Sequence, residues 1–203
     1  MAKGKQKKSD GGQEKTWSIR HERPEDAPLV AALNAESFGP GRFARAAFRL
    51  REGVHPEEKL SFVAIEDGKL RGNVRFWPVM AGGKPTLMLG PLAVQSDQRG
   101  RGIGIALMVR GLEEAKALGH KYVILVGDLP YYSRVGFRQI GFAARKEGEK
   151  GPPSSKLVFP GPVDPMRILG VSFDEAHPLE ALEGKLTRAR IDEPVCADSA
   201  ALG

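Results

Sequence analysis

From Thr86 to Val126 the chain reads as an apolar strand (TLMLGPLAV), a polar glycine-rich loop (QSDQRGRGIG), an amphipathic helix and a second apolar strand (KYVILV). Met108, Leu112 and Ala115 define one face of a helix from Ile105 to Leu118, and Gly119 stops it. A strand that is apolar at nearly every position suits burial on both faces, and strand, helix, strand in this order pairs the two strands in parallel. Gly100, Gly102 and Gly104 alternate immediately before the helix. Without Cβ atoms the main chain can close on a phosphate, and the first unpaired N–H groups of the helix and its dipole point to the same place. An anion site at the helix N-terminus is therefore expected.

The flanking segments supply further strands. Trp17–His21 alternates like a short strand, and Pro24, Glu25 and Asp26 suit the start of a helix that runs to about Glu36. Phe43, Ala47 and Leu50 recur at helical spacing with Arg42, Arg45 and Arg49 on a neighbouring stripe, which predicts a second amphipathic helix with a basic outer face. Leu60–Glu66 and Lys69–Met80 read as a hairpin about Asp67-Gly68, and Gly82-Gly83 turns the chain into the strand that ends at Val94. Gly90-Pro91 interrupts that strand, and because proline cannot donate to a ladder a bulge is expected there. A short segment at Leu129–Val135 precedes strands at Phe137–Phe142 and Lys156–Phe159. Residues 1–16 read as a disordered basic tail and 17–160 as one domain. Residues 161–203 read as an extension packed on it and frayed at its end, with a helix around Leu179–Arg188.

At 203 residues and 41% hydrophobic content the chain can bury one sizeable core, so a single site is sought. Cys196 is the lone cysteine and sits in a Pro/Ala-rich tail, while His21, His55, His120 and His177 lack ligand spacing; both facts point away from thiol and metal catalysis. There is no apolar run of about 18 residues, and MAKGKQKKSDGGQEK holds no apolar segment, so a soluble, cytoplasmic protein without membrane partners is expected. Five lysines against Asp10 and Glu14 place half of the formal charge of +6 in residues 1–16. That tail has no aromatic interleaving, which favours solvated disorder over nucleic-acid binding.

The glycine loop is not a P-loop, which needs G-x-x-x-x-G-K-[ST], nor a dinucleotide loop at a first strand. By itself it fits a phosphate site and a plain backbone turn equally well. Arg99, Gly102 and Gly104, however, match R-x-x-G-x-G, and Tyr132, Gly136 and Phe137 (YSRVGF) follow about 30 residues later, after one strand. This combination resembles the GNAT superfamily of N-acetyltransferases, and LGPLAV with GDLPYYSRVGF resembles its YhbS-like subgroup. The resemblance covers residues 17 to 160.

The resemblance implies an α/β (α+β mixed-sheet) architecture, the GNAT-like acyl-CoA acyltransferase fold, with antiparallel N-terminal strands and a parallel central pair splayed around the cofactor. It implies that Leu92, Ala93 and Val94 pair through their backbone with the pantetheine arm of acetyl-CoA, freed from the ladder by the bulge. Arg99, Gly100, Arg101, Gly102, Ile103 and Gly104 would hold the pyrophosphate, and the Val94 N–H would face the oxyanion. Tyr132, in preference to Tyr131, would act as general acid or as hydrogen-bond donor to the leaving thiolate. Glu36 and Asp97 are candidate bases, each also readable as an ordinary surface or capping carboxylate. Arg42, Arg45 and Arg49 would meet a carboxylate or phosphate of the acceptor, or the coenzyme's own phosphate. The expected activity is transfer of acetyl from acetyl-CoA to a primary amine of a small molecule or peptide, by direct attack in a ternary complex without metal. A homodimer is compatible with this reading. Two other readings stand beside it: a catalytically silent acyl-CoA-binding regulatory module, and a nucleic-acid-binding protein that uses the fold as scaffold.

Overall fold

The computed structural model describes residues 16–140 and 156–189. Most of the basic tail, Phe142, the EGEKGPPSS connection and Cys196 lie outside them. Among the described residues nine strands form the sheet: β1 (Ser18–His21), β2 (Ser61–Glu66), β3 (Lys69–Ala81), β4 (Lys84–Val94), β5 (Tyr122–Val126), β6 (Arg138–Gln139), β7 (Leu157–Val158), β8 (Ile168–Ser172) and β9 (Gly184–Arg188). The main order is β1-β2-β3-β4-β5-β8-β6; β9 pairs with the far end of β3 and with β7. The longer helices are α1 (Ala27–Phe38) and α3 (Ile103–Ala117); α2 (Ala46–Arg49) and α4 (Leu129–Tyr132) are single turns.

β2 explains how the two long helices are placed. All but one of its six residues are buried. Alternation along the strand sends Phe62 and Ala64 into the cluster that holds Leu107 and Met108 of α3, and Val63 and Ile65 into the cluster that holds Val30 and Leu33 of α1. The helices therefore cover opposite faces. A third cluster joins Met88, Tyr122 and Ile124 of the central strands to Ala46 and Leu50 around α2, and to Leu157, Ile168 and Leu186 from the C-terminal strands.

The β4 bulge falls where proline demands it. Val74 pairs with Leu92 and Phe76 with Leu89, so Gly90 and Pro91, joined by a cis peptide bond, together oppose Arg75 alone. β4 and β5 are parallel but pair only at Leu87–Val123 and Met88–Ile124. Beyond Met88 they part, and the sheet opens at the C-terminal end of β4.

Three sequence expectations change. The second amphipathic helix is a 3-10 segment (Pro40–Ala44), an extended Arg45 and the single turn α2. The extended backbone at Arg45 interrupts the helical period inside this stretch, so Ala46 and Leu50 go inside while Phe43 is half exposed. The segment after residue 160 supplies the sheet itself: all five residues of β8 pair antiparallel with β5, and β6 pairs with β8. Leu179–Ala181 is a 3-10 turn, and the residues expected to continue it as a helix form β9 instead.

Candidate active site

The opening between β4 and β5 contains two adjoining cavities. The smaller, of about 350 Å³, runs along the end of β4 to the N-terminus of α3; the larger, of about 640 Å³, lies between α1, α2 and the bulge. Phe38, Leu92 and Tyr132 line both, so these three side chains stand where the cavities meet.

In the smaller cavity the first intrahelical bond of α3 runs from Ala106 N–H to the Gly102 carbonyl at 3.0 Å, which leaves the N–H groups of Ile103, Gly104 and Ile105 without helical partners. Gly102 reaches this geometry at φ +82°, and Gly104 leaves space for the Tyr131 hydroxyl, which a Cβ there would overlap. Arg99 and Arg134 also line the cavity and no acidic residue does. Donors, helix dipole and positive charge thus agree on an anionic ligand.

The β4 edge contributes alternate groups. Gln95 N–H donates to the Arg71 carbonyl at 2.9 Å, which makes 95/71 a hydrogen-bonded pair; by the antiparallel alternation 93/73 is bonded as well. Ala93 therefore directs its N–H and C=O to β3. Leu92 and Val94, in the non-bonded pairs, direct theirs to the opened edge. The bulge does not release all three residues from the ladder; the divergence of β5 exposes two of them. Leu92 lines both cavities and Val94 the smaller one.

Arg101 alone of the six loop residues faces away. Its guanidinium binds Glu66 at 2.7 and 3.1 Å, Thr16 at 2.8 Å, and Gln98. Hydrogen bonds from Arg101 and Thr16, together with the charges of Arg101 and Arg71, hold the buried Glu66 carboxyl down at about 2 against its desolvation. Arg101 thus ties the loop to the end of β2.

Tyr132 sits on the single turn α4 with its ring over Gly127, where a Cβ would overlap it, and edge-on to Phe137 with centroids 6.0 Å apart. Burial first, then Tyr131 and Asp128, push its phenol up to about 12 against the pull of Arg167. It is a donor that stays protonated. Asp128 makes no side-chain cap for α4; its carboxylate meets Arg167 at 3.3 Å.

Glu36 is exposed on α1, and Asp97 is exposed and accepts from Gln98 at 2.7 Å. Neither lines a cavity. Arg42 and Arg45 line the larger cavity, whereas Arg49 donates to the Pro160 carbonyl at 2.9 Å on the far side of α2. Sequence reasoning passed over Arg51, Trp77 and Asn34, which also line this cavity. No pattern marked them, because each follows or faces apolar neighbours and reads as an isolated polar position.

Residues 18–137 match the family model for the acetyltransferase (GNAT) family. The chain is 38% identical over 122 residues to an uncharacterized N-acetyltransferase, YhbS, of Escherichia coli, across 59% of this chain and 72% of that one. It superposes on the crystal structure of Escherichia coli YhbS in complex with CoA with a TM-score of 0.66 at 26% identity, covering 89% and 94% of the two chains. A GNAT family acetyltransferase of Brucella melitensis in complex with acetyl-CoA superposes with a TM-score of 0.50 at 29% identity, over 79% and 97%. Among the described residues no helix is long and apolar enough to cross a membrane, and no group of three or more His, Cys, Asp or Glu side chains could hold a metal ion.

Proposed function

The chain belongs to the GNAT acetyltransferase family, and we propose that it transfers acetyl from acetyl-CoA to a primary amine by direct attack, with both substrates bound together. The observation that carries this reading is the pair of cavities meeting at Phe38, Leu92 and Tyr132, one suited to an anionic donor and the other open to an acceptor. The donor's pyrophosphate would lie against the N–H groups of Ile103, Gly104 and Ile105. Its arm would lie along the free edge groups of Leu92 and Val94, and the relatives solved with CoA and acetyl-CoA support that assignment.

A freed edge N–H, of Val94 or of Leu92, is the donor for the oxygen that gains charge as the amine attacks; a fixed backbone dipole stabilises that charge without reorganising. Tyr132 donates a hydrogen bond to the departing sulfur. The amine must arrive neutral, and a lysine-like amine has a pKa of about 10.4. With Glu36 and Asp97 outside both cavities, the larger cavity meets this need by electrostatics. Arg42, Arg45 and Arg51 line it, and its one acidic residue, Asp164, has its carboxylate engaged by the Met166 N–H at 2.9 Å. Like charges disfavour an ammonium and lower its pKa, with water carrying the proton away.

The test is CoA release by purified protein with acetyl-CoA and a panel of amines, alongside direct titration of acetyl-CoA. Turnover with one class of amine is expected. Acetyl-CoA binding with no turnover on any amine would leave a silent CoA-binding module, and failure to bind acetyl-CoA would remove the proposal altogether.

A further inference from the structure

The floor of the larger cavity holds a cation without a counterion. Arg51 lies deep in it, only partly exposed, and no ion pair or side-chain hydrogen bond joins it to any described residue. Its guanidinium rests 5.8 Å from the Trp77 ring centre. Its Nη2 lies beside Gly90, within 3.1 Å of where a Cβ would stand. Arg51 Nε, Trp77 Nε1 and Asn34 Oδ1 are out of contact with solvent and have no hydrogen-bond partner. Of the other four arginines of this cavity, Arg75 binds Glu22, Arg167 meets Asp128, Arg42 donates to the Gly39 carbonyl, and Arg45 is exposed with its guanidinium 5.7 Å from the Phe38 ring centre. Burial, and then the charge of Arg45, push the Arg51 guanidinium down to about 10. A charge that the fold buries in part and leaves uncompensated is costly, and with the exposed Arg45 adding positive charge nearby it invites an anion from outside.

Resting on the acetyltransferase reading above, we propose that the acceptor is a small amine carrying a carboxylate or phosphate, and that Arg51 binds that oxyanion at the bulge. The position of Arg51 also limits the acceptor's length. Gly90, against which the guanidinium lies, is two residues from Leu92 at the cavity junction, at most roughly 7 Å were the strand fully extended and less across the bulge and its cis peptide. An oxyanion on Arg51 and an amine at the junction are therefore separated by only a few bonds. Phe48, Trp77, Met88 and Val163 make the remaining wall apolar, so a side chain such as an aromatic ring has a place beside them. A planar guanidinium offers paired donors to either kind of oxyanion, which is why the geometry specifies the charge rather than the atom that bears it.

The experiment compares matched acceptors: phenylalanine with phenylalanine amide, and an aminoalkyl phosphate with the corresponding amino alcohol. kcat/KM is measured for wild type, Arg51→Met and Arg51→Lys. Wild type is expected to favour the anionic member of at least one pair by about ten- to one-hundred-fold, the range for losing a charge-assisted hydrogen bond, and the favoured pair tells carboxylate from phosphate. Arg51→Met should lose the preference and Arg51→Lys keep part of it, both with unchanged acetyl-CoA affinity, which verifies folding. Equal use of charged and neutral members by wild type, or a preference that survives in Arg51→Met, would overturn the proposal and leave acetyl transfer standing. If acetyl-CoA binds and no amine turns over, Trp77 fluorescence, read against Trp77→Phe, decides. Saturable binding of an anionic acceptor but not its neutral partner, lost in Arg51→Met, supports the oxyanion site even though the transferase reading fails; no such difference overturns the site as well.

Discussion

Replacing Tyr132 with Phe removes one hydroxyl at the junction of the two cavities, and the surroundings of that hydroxyl set the size of the effect. The phenol is pushed up to about 12, chiefly by burial. An alkyl thiol ionises near 8.5, so complete transfer of the phenol proton to a leaving thiolate is uphill by about 3.5 pKa units, or roughly 5 kcal/mol. Tyr132 therefore acts by donating a hydrogen bond to the sulfur and keeps its proton. A hydrogen bond to a charged group contributes about 1.5–3 kcal/mol, which predicts a fall in kcat of about ten- to one-hundred-fold in Tyr132→Phe. The ring, its contact with Phe137 and its place over Gly127 are retained, so the KM for acetyl-CoA should stay within about twofold. The assay is CoA release followed continuously from pH 6 to 10, with an amine that wild type acetylates. Because the phenol is protonated across this whole range, kcat should rise with pH as the amine loses its proton, without an alkaline decline that depends on Tyr132. A decline near pH 8 or 9 in wild type that disappears in the mutant would show Tyr132 titrating as a true acid and refute the reasoning. An unchanged kcat would remove it from the chemistry.

Three other outcomes follow from contacts described above. The Glu66 carboxyl is held at about 2 against an ordinary 4.5, so its contribution to stability is whole above about pH 4.5 and drains away as pH falls toward 2; melting temperature between pH 6 and 3 should fall more steeply in wild type than in Glu66→Gln. Gly127→Ala places a methyl group under the Tyr132 ring, which costs about 1–3 kcal/mol of stability by overpacking and should lower kcat more than it weakens acetyl-CoA binding, read by denaturant midpoint and steady-state kinetics. Leu107→Ala opens a cavity in the cluster between α3 and the sheet, where Leu107 is wholly buried, and should cost about 2–5 kcal/mol in urea unfolding with the affinity for acetyl-CoA near normal.

The central half of the molecule was legible in the sequence for a physical reason: its signals are local. Asp67-Gly68 and Gly82-Gly83 set hairpins by backbone conformation, Gly90-Pro91 sets the bulge by a missing donor, and the alternating glycines precede a helix with a clear apolar face. Where structure depends on distant partners the signal faded. β8 is five residues long and owes its strand to β5, some 45 residues earlier, while the extended Arg45 interrupts an apparent helical period. The site divides in the same way. Loop residues and Tyr132 followed from a motif, but Arg101 looks like one more loop cation until Glu66, 35 residues away, takes its guanidinium. Arg51 could not be found at all, since a buried charge next to Leu50 reads as the edge of a surface stripe.

The two-residue joint between β4 and β5 governs how the molecule can be made and divided. When Val126 leaves the ribosome, β5 has only Leu87 and Met88 to pair with; its other neighbour, β8, is translated some 40 residues later. Until then this strand, with Tyr122 through Leu125 buried in the finished protein, presents an apolar edge open to intermolecular pairing. The stretch of family likeness, residues 18–137, stops short of that partner, so a fragment cut at those limits would keep every motif and lose the strand that closes the sheet. A minimal independently folding unit must reach Ser172 to complete β8, and Arg188 to include β9 as well.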